Sequence, residues 1–356
     1  MHMARGTVIA ATILGVGGAL LASGPGYPTD RPRLLAGTAW LTSAGVGQLT
    51  LLDGSSAEVA AQVQVAAPGD RLDVVQDGAS AYAVDQSSGT VRRVDGATFA
   101  SSAPASPVPG AQDGLQVFAG PDALYTIDTH RGVLVSTDPR SLTPRTRPLP
   151  LATQVDPQAV ALDHAGRLWL LDSSTGDLVW VFQGQRHVRP HATTPGAGRL
   201  TVAGGVPVLV DTRERIAQVL DPDTGTARHT VQLDLRADDQ IAVGGAPSDP
   251  RLYLVAARGV LTICQLTESV CAQAVPLAAG NSQPGVPVEA GGRVFVPDYA
   301  TGRVWVVDLG TLRVVAQPQV LSPAARFQLV ARDGVVFFND PNSERAGVIR
   351  LDGGVR

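Results

Sequence analysis

The chain has 356 residues, 44% of them hydrophobic and 17% charged, which excludes a disordered polymer. Its formal net charge of -4 leaves no basic footprint for nucleic acid. Gly 39 and Pro 26 is a composition rich in tight turns. All the positive side chains are arginine, with no lysine, a codon bias expected of a GC-rich genome such as an actinobacterial one.

The N-terminus differs from the rest. Gly6 to Thr29 carries no charge, and Val8 to Ala22 is nearly all apolar behind Arg5. Residues 1–30 therefore read as a hydrophobic helix that is either a cleavable signal peptide or a single membrane anchor. The short apolar run favours a signal. The lack of an A-x-A site before Pro25 favours retention. Both readings put residues 31–356 outside the cell, either anchored by one pass or secreted.

From there a repeat takes over. AYAVDQSSGTVRRVD, LYTIDTHRGVLVSTD, LWLLDSSTGDLVWVF and VFVPDYATGRVWVVD share a strand, a turn and a strand. The first strand ends in Asp85, Asp128, Asp172 or Asp298, and Gly89, Gly132, Gly176 or Gly302 follows four residues later. A second aspartate, Asp95, Asp138 or Asp308, closes the next strand. Weaker copies carry Ser43 and Gly47, Asp211 and Asp221 with Arg215 in place of glycine, Ala256 with a shorter turn, and Asp340 with a longer one. The eight landmarks recur about every 42 residues. The motif D-x3-G-x5-D is turn chemistry: the carboxylate bonds the amides that follow it, and glycine supplies positive φ.

Another apolar strand precedes each unit (LDVVQ, LQVFAG, AVALD, LTVAG, IAVGG, VPVEAG, FQLVA) and another follows it. Four strands per period of this length predict an all-β propeller. Eight blades fit the landmarks better, with seven open. The last unit reaches only its third strand by Arg356, so the ring closes either through PRLLAG (32–37) or without a closing strand.

In the sixth unit, Cys264 and Cys271 flank the polar turn LTES. This places the thiols near each other across a hairpin and predicts a disulfide in an oxidising compartment. The Pro-rich stretches 101–112 and 139–157 read as blade-to-blade connections. The second, with its arginines, is a candidate docking segment for an anionic envelope polymer.

These repeats resemble the NHL and YVTN types of bacterial six- to eight-bladed propellers. The ending FFNDPNSERAGVIRLDG resembles the propeller region of exported actinobacterial proteins that are membrane-anchored and carry fibronectin type III modules, which this chain lacks. The resemblance implies an envelope protein for binding or scaffolding and carries no catalytic residues across.

No candidate site stands out otherwise. His187 and His191 sit four apart in QRHVRPH with no carboxylate close in sequence, and His164 and His130 fall in turns. DPDTGT (221–226) lacks the distal glutamate of a calcium loop. Nucleophile-elbow, P-loop and dinucleotide motifs are absent. The expectation is a non-enzymatic module with no cofactor or metal, facing a protein or envelope partner. The alternative is a lyase- or hydrolase-type propeller enzyme that gathers His and acidic residues at the channel mouth.

Overall fold

The computed structural model describes residues 37–277 and 282–356, which belong to one compact unit. The predicted N-terminal helix (1–30) and residues 32–36 of PRLLAG lie outside the described residues. Among the described residues no helix is long and apolar enough to cross a membrane.

The described chain forms 29 strands in eight antiparallel sheets, five of four strands and three of three. Each sheet is one repeat, so the molecule is an eight-bladed propeller. The blades span 38–64, 72–105, 115–150, 155–189, 198–232, 241–276, 288–316 and 328–356. The landmark residues end the second strands: Ser43, Asp85, Asp128, Asp172, Asp211, Ala256 and Asp298 are terminal, and Asp340 follows Asn339. Second strands such as Leu168–Asp172 and Leu124–Asp128 are buried along their whole length. They lie inside a sheet that is covered on both faces by its neighbours.

The core is eight clusters, one between each pair of adjacent blades. Blades 4 and 5 share Trp169, Trp180, Leu200 and Leu209, and the two indoles stack at 5.0 Å. Blades 5 and 6 share Val208, Val210, Leu252, Leu254 and Cys264. Blades 8 and 1 share a smaller set: Ala39, Leu41, Leu52, Phe337 and Val348.

Three expectations are corrected. The last blade does not stop at its third strand, because Val355 bridges Ile349 and the Arg356 amide and carbonyl both pair with Val348 at 3.0 Å. Stretch 101–112 is not wholly a connection: Ser101 and Ala105 bridge Val94 and Val91 and so begin a fourth strand. Stretch 139–157 likewise contains the short fourth strand Leu149–Pro150 and the Pro144 bridge to Thr137. Proline has no amide to donate, which confines these segments to interrupted outer edges. Blade 1 shows three strands among the described residues, starting at Thr38–Ser43, the counterpart of the second strand elsewhere.

Candidate functional site

Antiparallel order sends the 2–3 hairpins and the blade-to-blade connections to one face of the propeller. The 1–2 and 3–4 turns go to the other. The repeated aspartates divide accordingly. On the first face, Asp85 accepts from the Ser87 amide at 2.9 Å and the Ser88 amide at 3.1 Å. Asp128 accepts from His130 and Arg131 amides, and Asp340 from the Asn342 amide at 3.0 Å. Gly89, Gly132, Gly176 and Gly302 follow at φ between +61° and +78°.

Three of these carboxylates also reach the connection leading into their own blade. Asp172 takes the Thr153 amide at 2.6 Å, Asp211 the Thr194 amide at 2.7 Å and Asp298 the Gln283 amide at 2.9 Å. Burial opposes ionisation of Asp172 and Asp211, but the amide and hydroxyl donors outweigh it and hold both below the usual carboxylate range.

On the opposite face Asp53, Asp95, Asp138, Asp221 and Asp308 cap the 3–4 turns in the same way. Asp138 and Asp221 are held far down by turn amides, led by those of Ser141 and Thr224, and by Arg145 and Arg228. All these acids are turn groups, as the motif predicts. The structure sets Cys264 and Cys271 at disulfide distance across the 3–4 turn of blade 6, Cα atoms 4.5 Å apart.

The histidines do not converge. His187 stacks on Trp180 at 5.0 Å, and His191 has left the strand at φ +49°. His164 lies in a 1–2 turn and His130 in a 2–3 turn. Among the described residues no group of three or more His, Cys, Asp or Glu could hold a metal.

Two concave regions bear on function here. The first is a cleft of about 540 Å3 on the opposite face, between blades 3 and 4. Tyr125, Leu134, Leu149, Val181 and Phe182 line it with Arg145 and Arg147, which come from the Pro-rich stretch. The Tyr125 hydroxyl donates to Gly166 O at 3.1 Å, and Arg167 lies over the Phe182 ring at 4.3 Å. Arg145 is committed to Asp138 and to Asp122 O. Arg147 is exposed and no described residue accepts from it.

The second region is the mouth of the central channel on the hairpin face, where a hollow of about 750 Å3 is lined by Thr129, His130, Thr153, Gln154 and Asp156. Beside it, first strands carry polar residues at one register. Asp73, Gln116, Arg199 and Gln328 each pair with the residue just before the hairpin aspartate: Val84, Ile127, Val210 and Asn339. Arg199 stands 3.5 Å from Asp156. Burial pushes the Asp73 carboxyl up. Gln116 Oε1 and Arg199 Nε are buried with no partner among the described residues. Sequence reading passed over this arc. Its signal was a polar residue inside LDVV, LQVF and GRLTV, twelve positions before the landmark aspartate.

No family model and no curated protein matches the sequence. Solved structures match its shape. Virginiamycin B lyase from Staphylococcus aureus is 9% identical with a TM-score of 0.59, covering 76% of this chain and 91% of that one. Dihydro-heme d1 dehydrogenase NirN is 15% identical with a TM-score of 0.60, covering 94% and 73%. Hsv2 from Kluyveromyces lactis is 7% identical with a TM-score of 0.58, covering 80% and 98%. At such identities these likenesses show one thing, that the chain has the β-propeller fold.

Proposed function

We propose that this is a non-enzymatic binding propeller of the bacterial cell envelope, exported by its N-terminal segment and either anchored or released. The reading rests on the cleft between blades 3 and 4. Its apolar floor, with Arg145 and Arg147 at the rim, suits a ligand with an apolar body and an anionic group, as on an envelope polymer or a partner protein. The turn aspartates support it, because their lone pairs are already taken by amides. The resemblance to membrane-anchored propellers with fibronectin modules fits the same location, and a disulfide between Cys264 and Cys271 fits an oxidising compartment.

The test is retention of the full-length chain on envelope fractions. Wild type is expected to bind, and Arg147→Glu with Phe182→Ala to lose most of that binding while keeping its β-sheet circular dichroism. Absence of binding by wild type to any fraction sinks the reading.

The polar arc at the channel mouth favours a second reading, a propeller enzyme. A catalytically inactive His-to-Ala variant of virginiamycin B lyase is among the similar structures, so that propeller depends on a histidine. Here the described histidines lie in turns and on fourth strands, away from Asp156 and Arg199 except for His130.

A further inference from the structure

Blade 5 departs from the repeat at one hairpin position. Gly47, Gly89, Gly132, Gly176, Gly259 and Gly302 occupy that position in six other blades at φ between +61° and +82°, whereas blade 5 has Arg215 at φ +57°. Left-handed backbone disfavours any side chain with a Cβ. Glycine recurs for a second, visible reason. A Cβ on Gly132, Gly176 or Gly302 would lie 2.0, 2.1 or 2.3 Å from a carbonyl oxygen of the outgoing connection. Blade 5 keeps the usual hydrogen bond, Leu233 N to Arg215 O at 2.8 Å. Beyond that bond its connection (233–240) borders a cavity of about 600 Å3.

Elsewhere, some non-glycine residues in left-handed backbone gain burial in return, while Gln183, His191, Ala324 and Asp333 stay exposed at φ between +48° and +64°. Phe99, Leu142 and Leu312, at φ between +54° and +59°, pack into the clusters between blades. Arg215 gains none: it is exposed. Its carbonyl is held by Leu233 N and Gln232 Nε2, but its side chain bears the cost of left-handed backbone without burial, where six other blades have glycine.

Arg213 and Arg236 line the same cavity as Arg215. All three are exposed, and no described residue accepts a hydrogen bond from their guanidinium groups. The carboxylate that lines the cavity, Asp239, is already committed to Arg258 at 3.2 Å and to the Arg236 amide at 2.8 Å. Glu214 and Asp238 are neighbours in sequence and exposed, but do not line it. Gly196 lines both this cavity and the hollow at the channel mouth, and a Cβ there would meet open space. A ligand seated at the arginines therefore has room to extend toward the channel.

We propose that Arg213, Arg215 and Arg236 form a binding site for an oxyanion, a phosphate or carboxylate group, on the hairpin face between blades 5 and 6. Guanidinium forks match both groups, and three of them without acidic partners supply what such a group needs. The site is separate from the cleft between blades 3 and 4 and does not depend on it.

Arg215→Gly is the decisive variant, since it gives blade 5 the hairpin of its neighbours and threatens no packing. The full-length chain is titrated calorimetrically with tripolyphosphate and, separately, with citrate. Wild type is expected to bind at least one of them, more weakly as salt rises. Arg215→Gly should weaken binding about fivefold or more without lowering the thermal midpoint, and Arg213→Ala with Arg236→Ala about tenfold or more. Arg350→Ala, at an exposed arginine outside both sites, should bind as wild type. Binding of one probe alone identifies the anion as phosphate or carboxylate. The proposal is overturned if wild type binds neither probe, if Arg215→Gly binds like wild type, or if that variant melts earlier.

Discussion

The junction between blades 5 and 6 and the seam between blades 8 and 1 solve the same problem differently. The first joins neighbours in sequence. It buries twelve residues in one cluster and adds backbone links, with Gln232 N donating to Ser269 O at 2.8 Å and Cys271 N to Gln232 O at 3.2 Å. The seam joins the two ends of the described ring. It buries five residues in its cluster and is stitched by polar contacts. Asn339 Nδ2 donates to Thr42 Oγ1 at 3.0 Å in a buried setting, and the Ala44 amide to Pro341 O at 3.1 Å. Among the described residues no strand of either terminal sheet crosses to the other. A junction between sequence neighbours is brought together by the chain itself. One between distant segments also needs specific partners, because many apolar faces would fit equally well.

The largest test of this contrast is Phe337→Ala. It removes a fully buried ring from the smallest cluster and should cost about 4 kcal/mol. Hydrogen exchange should then show blades 1 and 8 losing protection before blade 5. Uniform loss would mean that the seam is no weaker than the rest. Next comes the reinforced junction. Replacing both cysteines by alanine, or reducing the intact protein, should cost about 2 kcal/mol, since the closed loop is short. Non-reducing mass mapping would first show whether the bond forms. The smallest effect concerns the polar stitch. Asn339→Leu alone should cost about 1 kcal/mol by leaving Thr42 without this partner, and adding Thr42→Val should recover part of that. A double-mutant cycle with no coupling would remove the argument that the seam depends on polar specificity.

Much of this fold was legible because its strongest signal is local. Asp85, Asp128, Asp172 and Asp298 mark hairpins that need only a few consecutive residues, so the period and the blade count follow from them. The seam was illegible for the opposite reason. Nothing around Thr42 signals Asn339, and the fourth strand at Val355–Arg356 is too short to carry an apolar alternation. The Pro-rich outer strands were missed because proline masks strand character without abolishing a bridge at Ala105 or Pro144. The channel arc was also hidden, since Asp73 and Gln116 are single polar residues in apolar strands and gain meaning only when the register stacks them. Arg215 was the exception. It was visible in the sequence as a broken repeat, and the structure supplied the reason to take the break seriously.

The way the ring closes also bears on how it is made. Each described sheet is built from one continuous stretch of chain, so a blade's own strands are complete as soon as that stretch has been synthesised. Neighbouring blades can then dock in order during elongation. The seam is different: Thr42 and Asn339 are 297 positions apart, so their contact must wait until seven blades have already formed. Until then the apolar edges of blades 1 and 8 stay uncovered. Factors that shield apolar surface would have one predictable place to act.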